Sequence, residues 1–205
     1  NRALTILRIT NMNQQLYHQR KQRWSAIKKH YKRHGIQLRD YQAEGIRWMV
    51  SLETLGRPGG LLGDEPGLGK TYQSLSLVFS GKGTSLVVVP ASILGQWLKD
   101  TKRLCGEDRV YLHHTDYRQK TIPPNTQVVL TTPQTLNLSD KDSGLANLVD
   151  YPWERVIIDE IQCMKNASSK IYKTARKLKA KYRWGLTGTP IQNSRKEVIN
   201  LFKFI

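Results

Sequence analysis

Four side chains carry the types and spacing that chemistry requires. Lys70 and Thr71 close the run Gly63-Asp64-Glu65-Pro66-Gly67-Leu68-Gly69-Lys70-Thr71, and Asp159 and Glu160 end the apolar run Val156-Ile157-Ile158. A glycine-containing turn that follows an apolar pair (Leu61-Leu62) and opens a helix-competent stretch lets backbone N–H groups close around phosphate oxygens. The helix N-terminus adds partial positive charge. Lys70 would reach the β- and γ-phosphates, and the Thr71 hydroxyl would coordinate Mg²⁺. Asp64 stands where such loops usually open with Gly, with Gly63 one residue earlier. A glycine-rich turn holding an incidental lysine uses the same letters, so this motif alone leaves both readings open. The paired carboxylates decide between them. Asp159 would hold the Mg²⁺ through its water shell, and Glu160 would orient and polarise an attacking water. They fall roughly 90 residues after Lys70, across several alternating elements, and the pair of motifs points to nucleotide hydrolysis. A third run, Leu186-Thr187-Gly188-Thr189-Pro190-Ile191-Gln192-Asn193, follows a later strand. The hydroxyls of Thr187 and Thr189 could bond to Glu160 or the γ-phosphate region and so relay nucleotide state. A plain strand-ending turn needs only the Gly and Pro.

The elements that position these groups follow from hydrophobic periodicity. Trp24, Ile27 and Tyr31 recur at helical spacing and predict a helix over residues 14–33 whose stripe packs on the main body. A second helix is opened by Leu38-Arg39-Asp40-Tyr41-Gln42 and runs to about Leu55, with Tyr41, Gly45, Trp48, Leu52 and Leu55 as its inner face. Strands are predicted at 85–89, 109–112, 127–131, 155–158 and 182–186. Helices are predicted at 91–103, at 170–180 (Ile171, Ala175 and Leu178 inward) and from 196 onward. Two long loops, 115–126 and 139–151, separate them. Short buried strands alternating with helices imply an α/β fold, a mostly parallel sheet with helices on both faces. Ligands collect at the C-terminal ends of such strands.

The 205-residue chain is long enough for one sizeable domain. It starts at Asn1, so it is expected to be part of something longer. No apolar run reaches the roughly 18 residues of a membrane span, and no signal-peptide pattern opens the chain. The isolated cysteines Cys105 and Cys163 have no metal-ligand spacing, which favours a reducing compartment, cytosol or nucleus. The formal net charge is +17. Residues 1–39 hold ten Lys and Arg with no acid, and residues 161–183 hold eight more with none. Segregated blocks of this kind suit a polyanionic partner better than a generally soluble surface does.

With these motifs in hand the chain resembles the first RecA-like lobe of a superfamily 2 helicase-type motor of the Swi/Snf kind. The matching blocks are Leu38-Arg39-Asp40-Tyr41-Gln42, Asp64 to Thr71, Leu86-Val87-Val88-Val89-Pro90-Ala91-Ser92 with Gln96-Trp97, Leu130-Thr131-Thr132-Pro133, Asp159-Glu160-Ile161-Gln162, and Leu186 to Asn193. They run in family order, and the family carries Asp at the place of Asp64. The spelling Arg183-Trp184-Gly185-Leu186 is similar to the branch that includes helicase-like transcription factor, transcription termination factor 2 and viral global transactivators.

The resemblance implies a P-loop NTPase lobe at 38–205 preceded by a basic helical segment at 1–37, with the second lobe outside this chain. It implies ATP and Mg²⁺ as cofactors, with Gln42 reading the adenine edge and Gly67 and Gly69 supplying backbone contacts. Ser92, Gln96, Thr131 and Thr132 would face the DNA, and Gln162, Thr187 and Thr189 would couple ATP state to it. Two letters depart from the family. Gln162 replaces a usual His; it can still bond to the third motif but cannot become charged. Pro66 replaces a usual Met and removes one backbone donor.

The implied function is a nuclear (or viral-replication-site) DNA-stimulated ATPase that translocates on double-stranded DNA and remodels nucleosomes or other DNA-bound proteins. A lone lobe, without arginines from the second, is expected to be nearly inactive. A true helicase and a degenerate, non-hydrolysing DNA-binding module remain as alternatives.

Overall fold

The computed structural model describes residues 2–137, 146–189 and 195–205. Among the described residues six strands, β1 (Gly59–Leu62), β2 (Ser85–Val88), β3 (Val110–Leu112), β4 (Val128–Thr131), β5 (Trp153–Asp159) and β6 (Ala180–Leu186), form one sheet in the order β1-β6-β5-β2-β4-β3. Every pairing is parallel. Both faces are covered, so the strands are apolar on successive residues, and neighbours alternate between two cores. Val87, Leu130 and Ile157 join one core with α1 (Arg2–Arg33), α2 (Asp40–Thr54), α3 (Lys70–Phe79) and α4 (Ala91–Cys105). Leu86, Val88, Val156 and Ile158 join the other with α5 (Pro133–Asn137), α6 (Lys170–Lys177) and α7 (Arg195–Phe204). The fold is RecA-like α/β, as the alternation of elements implied.

The register lines up the ends that matter. Leu186 lies opposite both Leu62 and Asp159, and Val88 lies opposite both Ile158 and Thr131. The loop after β1 and the carboxylates at the end of β5 therefore flank the end of β6. They start two strand spacings apart, roughly 10 Å.

Three elements differ from the periodicity reading. α1 starts at Arg2 rather than near 14, because no Gly or Pro interrupts the sequence before that point. On α2 the buried residues are Ile46, Met49, Val50 and Glu53, whereas Tyr41, Trp48 and Leu55 are exposed. The true face has ideal helical spacing, but a glutamate occupies its last position and hides it from an apolar count. That carboxylate receives both Nε and an Nη of Arg155 at 3.1 Å, an Nη of Arg23 at 2.7 Å and the Trp184 indole N–H at 3.1 Å. α6 stops at Lys177, and Tyr172 rather than Ile171 is buried beside Ala175. β6 claims the chain from Ala180, which pairs with Trp153. Residues 138–145 of the second expected long loop lie outside the described residues, and the first contains a single 3₁₀ turn, Thr115–Tyr117. Both cysteines are free. Among the described residues no helix is long and apolar enough to cross a membrane.

Candidate nucleotide site

The loop between β1 and α3 is built around two left-handed glycines, Gly67 (φ +84°) and Gly69 (φ +79°). At Gly69, the N-cap of α3, a Cβ would also collide with the Gln42 amide. No side chain caps α3, so its first backbone N–H groups face the loop as donors for an anion. Lys70 Nζ donates to the carbonyls of Asp64 (2.7 Å) and Glu65 (3.0 Å), which places the ammonium over the loop. Gln42 reaches the same loop from the first turn of α2: its Nε2 donates to the Leu68 carbonyl at 3.1 Å, and its Oε1 accepts the Arg39 N–H at 3.0 Å. Asp64 stands at the opening of this loop, close to α3. Its Oδ2 accepts from Gln73 Nε2 at 2.7 Å, so it ties the loop to α3. Gln73, fully buried, was not singled out from sequence.

Asp159 ends β5 and is buried. Its Oδ1 accepts the Glu160 N–H at 2.9 Å and its Oδ2 the Trp97 indole N–H at 2.8 Å. Burial raises its pKa; the two N–H donors and the nearby Lys70 ammonium pull it back, while Glu160 pushes it further up. Glu160 adopts φ 49°, ψ 53°, a left-handed turn that costs a non-glycine residue of order 1 kcal/mol or more. This turn leads directly into the 3₁₀ turn Ile161–Met164 and brings Gln162 back, so that its Nε2 donates to Glu160 Oε2. Among the described residues, the tight turn gives the Gln162 amide Glu160 as its hydrogen-bond partner. Mg²⁺ keeps several waters and takes one or two protein oxygens alongside phosphates. Thr71 in the first turn of α3 and Asp159 at the end of β5 fit that donor set.

The remaining expected residues fall at the same end of the sheet. Thr187 is fully buried and its Oγ1 accepts the Thr189 N–H at 3.0 Å. Residues 190–193 of the third motif lie outside the described residues. Ser92 and Gln96 are exposed on α4, where Gln96 Nε2 donates to Asp100 Oδ2 at 2.8 Å. Thr131 and Thr132 are fully buried. Thr131 Oγ1 donates to the His113 carbonyl at 2.9 Å, and the Thr132 and Thr135 hydroxyls are 3.0 Å apart. Neither hydroxyl is presented at the surface. The sequence reading missed Trp97 as a partner of Asp159. The available signal was an indole N–H that needs an acceptor when buried.

A glycine-turned loop ending in Lys70-Thr71 and a carboxylate pair lie together at the C-terminal edge of the parallel sheet of a RecA-like lobe. The model of the SNF2-related domain matches residues 41–205, and the chain belongs to this family, as part of a Swi/Snf-type helicase-like ATPase core. It is 33% identical over 186 residues to the ATP-dependent DNA helicase DDM1 of Arabidopsis thaliana, covering 83% of this chain and 24% of that protein. A probable chromatin-remodeling complex ATPase chain of Oryza sativa is 35% identical over 180 residues, covering 82% of this chain and 16% of that one. Among solved structures, the Sulfolobus solfataricus SWI2/SNF2 ATPase core in complex with dsDNA is 32% identical with a TM-score of 0.71, covering 82% of this chain and 36% of that one. The chain thus spans a quarter or less of these two curated relatives.

Proposed function

We propose that this chain is the first, ATP-binding lobe of a nuclear DNA-dependent ATPase that translocates on double-stranded DNA and remodels protein–DNA complexes. The observation that carries the reading is the shared strand register that sets the Lys70–Thr71 loop and the Asp159–Glu160 pair on either side of the β6 end. Gly67, Gly69 and the first N–H groups of α3 bind the phosphates, Lys70 neutralises them, and Gln42 stands beside the loop to meet the base. Thr71 and Asp159 would hold Mg²⁺, and the ion would supply positive charge against the phosphates. Glu160 orients the attacking water, and its bond from Gln162 steadies that carboxylate. Hydrolysis is completed by a second RecA-like lobe of the parent protein. An arginine supplied from outside a lobe contributes about 10³- to 10⁵-fold in comparable enzymes, so the lone lobe turns over very slowly.

Duplex DNA as partner is supported by the charge of +17, by its two acid-free blocks and by the archaeal relative seen on DNA. Backbone contacts of this kind position a protein without reading sequence. The exposed Ser92 and Gln96 on α4 are the side-chain candidates; at Thr131 and Thr132 the backbone serves instead.

The test is the ATPase rate of the full natural protein with and without duplex DNA, next to its Lys70→Ala variant. Strong stimulation, reduced at least about 100-fold by the substitution, is the expected result. DNA binding without stimulation would leave a binding module, and displacement of a strand would make the protein a helicase.

A further inference from the structure

Trp97 is one of the largest fully buried side chains, at 2% exposure, yet nothing in ATP binding requires an indole there. It projects from the second turn of α4 to the end of β5, 62 residues away in sequence, and donates its N–H to Asp159 Oδ2. With the Glu160 N–H on Oδ1, the carboxylate is held by one donor on each oxygen. Two such bonds fix the plane of a carboxylate and leave its other lone pairs for a metal's water shell.

Trp97 is itself held firmly, because α4 is tied to the phosphate-binding helix: Asp100 Oδ1 accepts from Tyr72 Oη at 3.0 Å, while Oδ2 accepts from Gln96. Tyr72 directly follows Thr71. Leu94, Trp97, Thr101 and Leu104 pack the same helix into the core. One rigid helix therefore touches the metal carboxylate through Trp97, the phosphate helix through Asp100 and the exposed face through Gln96.

We propose that Trp97 is a positioning residue for Mg²⁺ binding: its indole N–H orients Asp159 toward the metal, so that Mg²⁺ strengthens nucleotide binding only when this donor is present. This rests on the nucleotide reading given above. An apolar filler would pack the core equally well but would leave Asp159 Oδ2 without its donor. Losing a partner that orients a metal ligand typically costs about 10- to 100-fold in metal affinity.

The experiment is calorimetric titration of the full natural protein with ADP, once with Mg²⁺ and once with the metal chelated. The variants are Trp97→Phe and a site-specific replacement of Trp97 by benzothienyl-alanine, which keeps the shape and lacks the N–H. Both are expected to bind metal-free ADP as the parent does and to lose about tenfold or more of the Mg²⁺ enhancement. In an Asp159→Asn background neither should lose anything further. If Trp97→Phe does not fold, the isosteric replacement decides alone. Unchanged Mg²⁺ enhancement in the isosteric variant overturns the proposal, as does an equal loss of metal-free ADP binding. A parent protein whose ADP binding gains nothing from Mg²⁺ overturns the proposal alone, whereas a parent that binds no ADP with or without Mg²⁺ overturns the nucleotide reading as well, which separates the two failures.

Discussion

At the level of single residues, Pro66 and Gly188 explain each other. Pro66 departs from the family's usual letter, and its ring lies against the backbone of Gly188 in the third motif. A Cβ built on Gly188 would stand 2.7 Å from Pro66 Cδ and 2.8 Å from Cγ, closer than side chains approach. The loop after β1 and the turn after β6 therefore lie against each other, with no room for a side chain between them. Gly188→Ala should push the loop away from its glycine-defined shape at a cost of about 1–3 kcal/mol, the usual range for overpacking. The readout is weaker MgADP binding, recovered when Pro66→Ala is added to make room. Equal affinity in the parent and in Gly188→Ala would remove the contact from the account.

At the level of elements, α1 is built into the lobe although the family match begins only at residue 41. Ile27 and Tyr31 are buried in the core of the nucleotide side. The His30 ring stacks on Phe79 at 4.0 Å and contacts the Leu104 carbonyl at 2.8 Å. Arg23 donates to Ser80 Oγ at 2.9 Å and to the Leu77 carbonyl at 3.2 Å, at the far end of the helix that Lys70 opens. Ile27→Ala should lower unfolding stability by about 2–5 kcal/mol in urea titration, as for other buried large-to-small changes. An exposed-surface value below about 0.5 kcal/mol would mean that α1 is not docked in solution.

The stripe Trp24, Ile27, Tyr31 was legible because local spacing alone determines it. So were the strands, the parallel sheet and the Lys70, Thr71, Asp159 and Glu160 groups, each of which sits in a contiguous motif. What stayed hidden depends on contacts between distant residues. The α2 face is disguised by Glu53, which is buried only because Arg155, 102 residues later, meets it. The tie between Trp97 and Asp159 has no local signature for the same reason. Gln162 shows the converse: its neighbourhood to Glu160 is local, but only the left-handed turn at Glu160 decides that it folds back onto that carboxylate.

At the level of the whole molecule, a net charge of +17 coexists with a buried ionic cluster, a buried imidazole at His113 and a half-buried one at His30, and acid acts on all of them. As carboxylates protonate, self-repulsion among 33 Lys and Arg grows, a term that salt screens. Glu53 keeps a depressed pKa: burial opposes ionisation, but Arg155 and then Arg23 outweigh it. Its contribution is present above the ordinary glutamate range and is lost as pH falls through the lowered value.

His113 acts earlier in the same descent. Burial, helped by Arg118, lowers its pKa to about 4. The native state then holds it neutral while the unfolded chain takes up a proton near pH 6.5. Below that pH the unfolded state binds more protons, so stability falls as pH drops from about 6.5 to about 4, by up to roughly 3 kcal/mol from this group. His30, also lowered by burial, adds in the same direction.

Urea unfolding at pH 7, 5.5 and 4.5 in high salt, where repulsion is screened, should therefore still show a decline. That decline should be shallower in His113→Asn, whatever the change in stability at pH 7. An identical slope in the two proteins would show that His113 is protonated in the native fold, and that the acid sensitivity belongs to the charge of the whole surface.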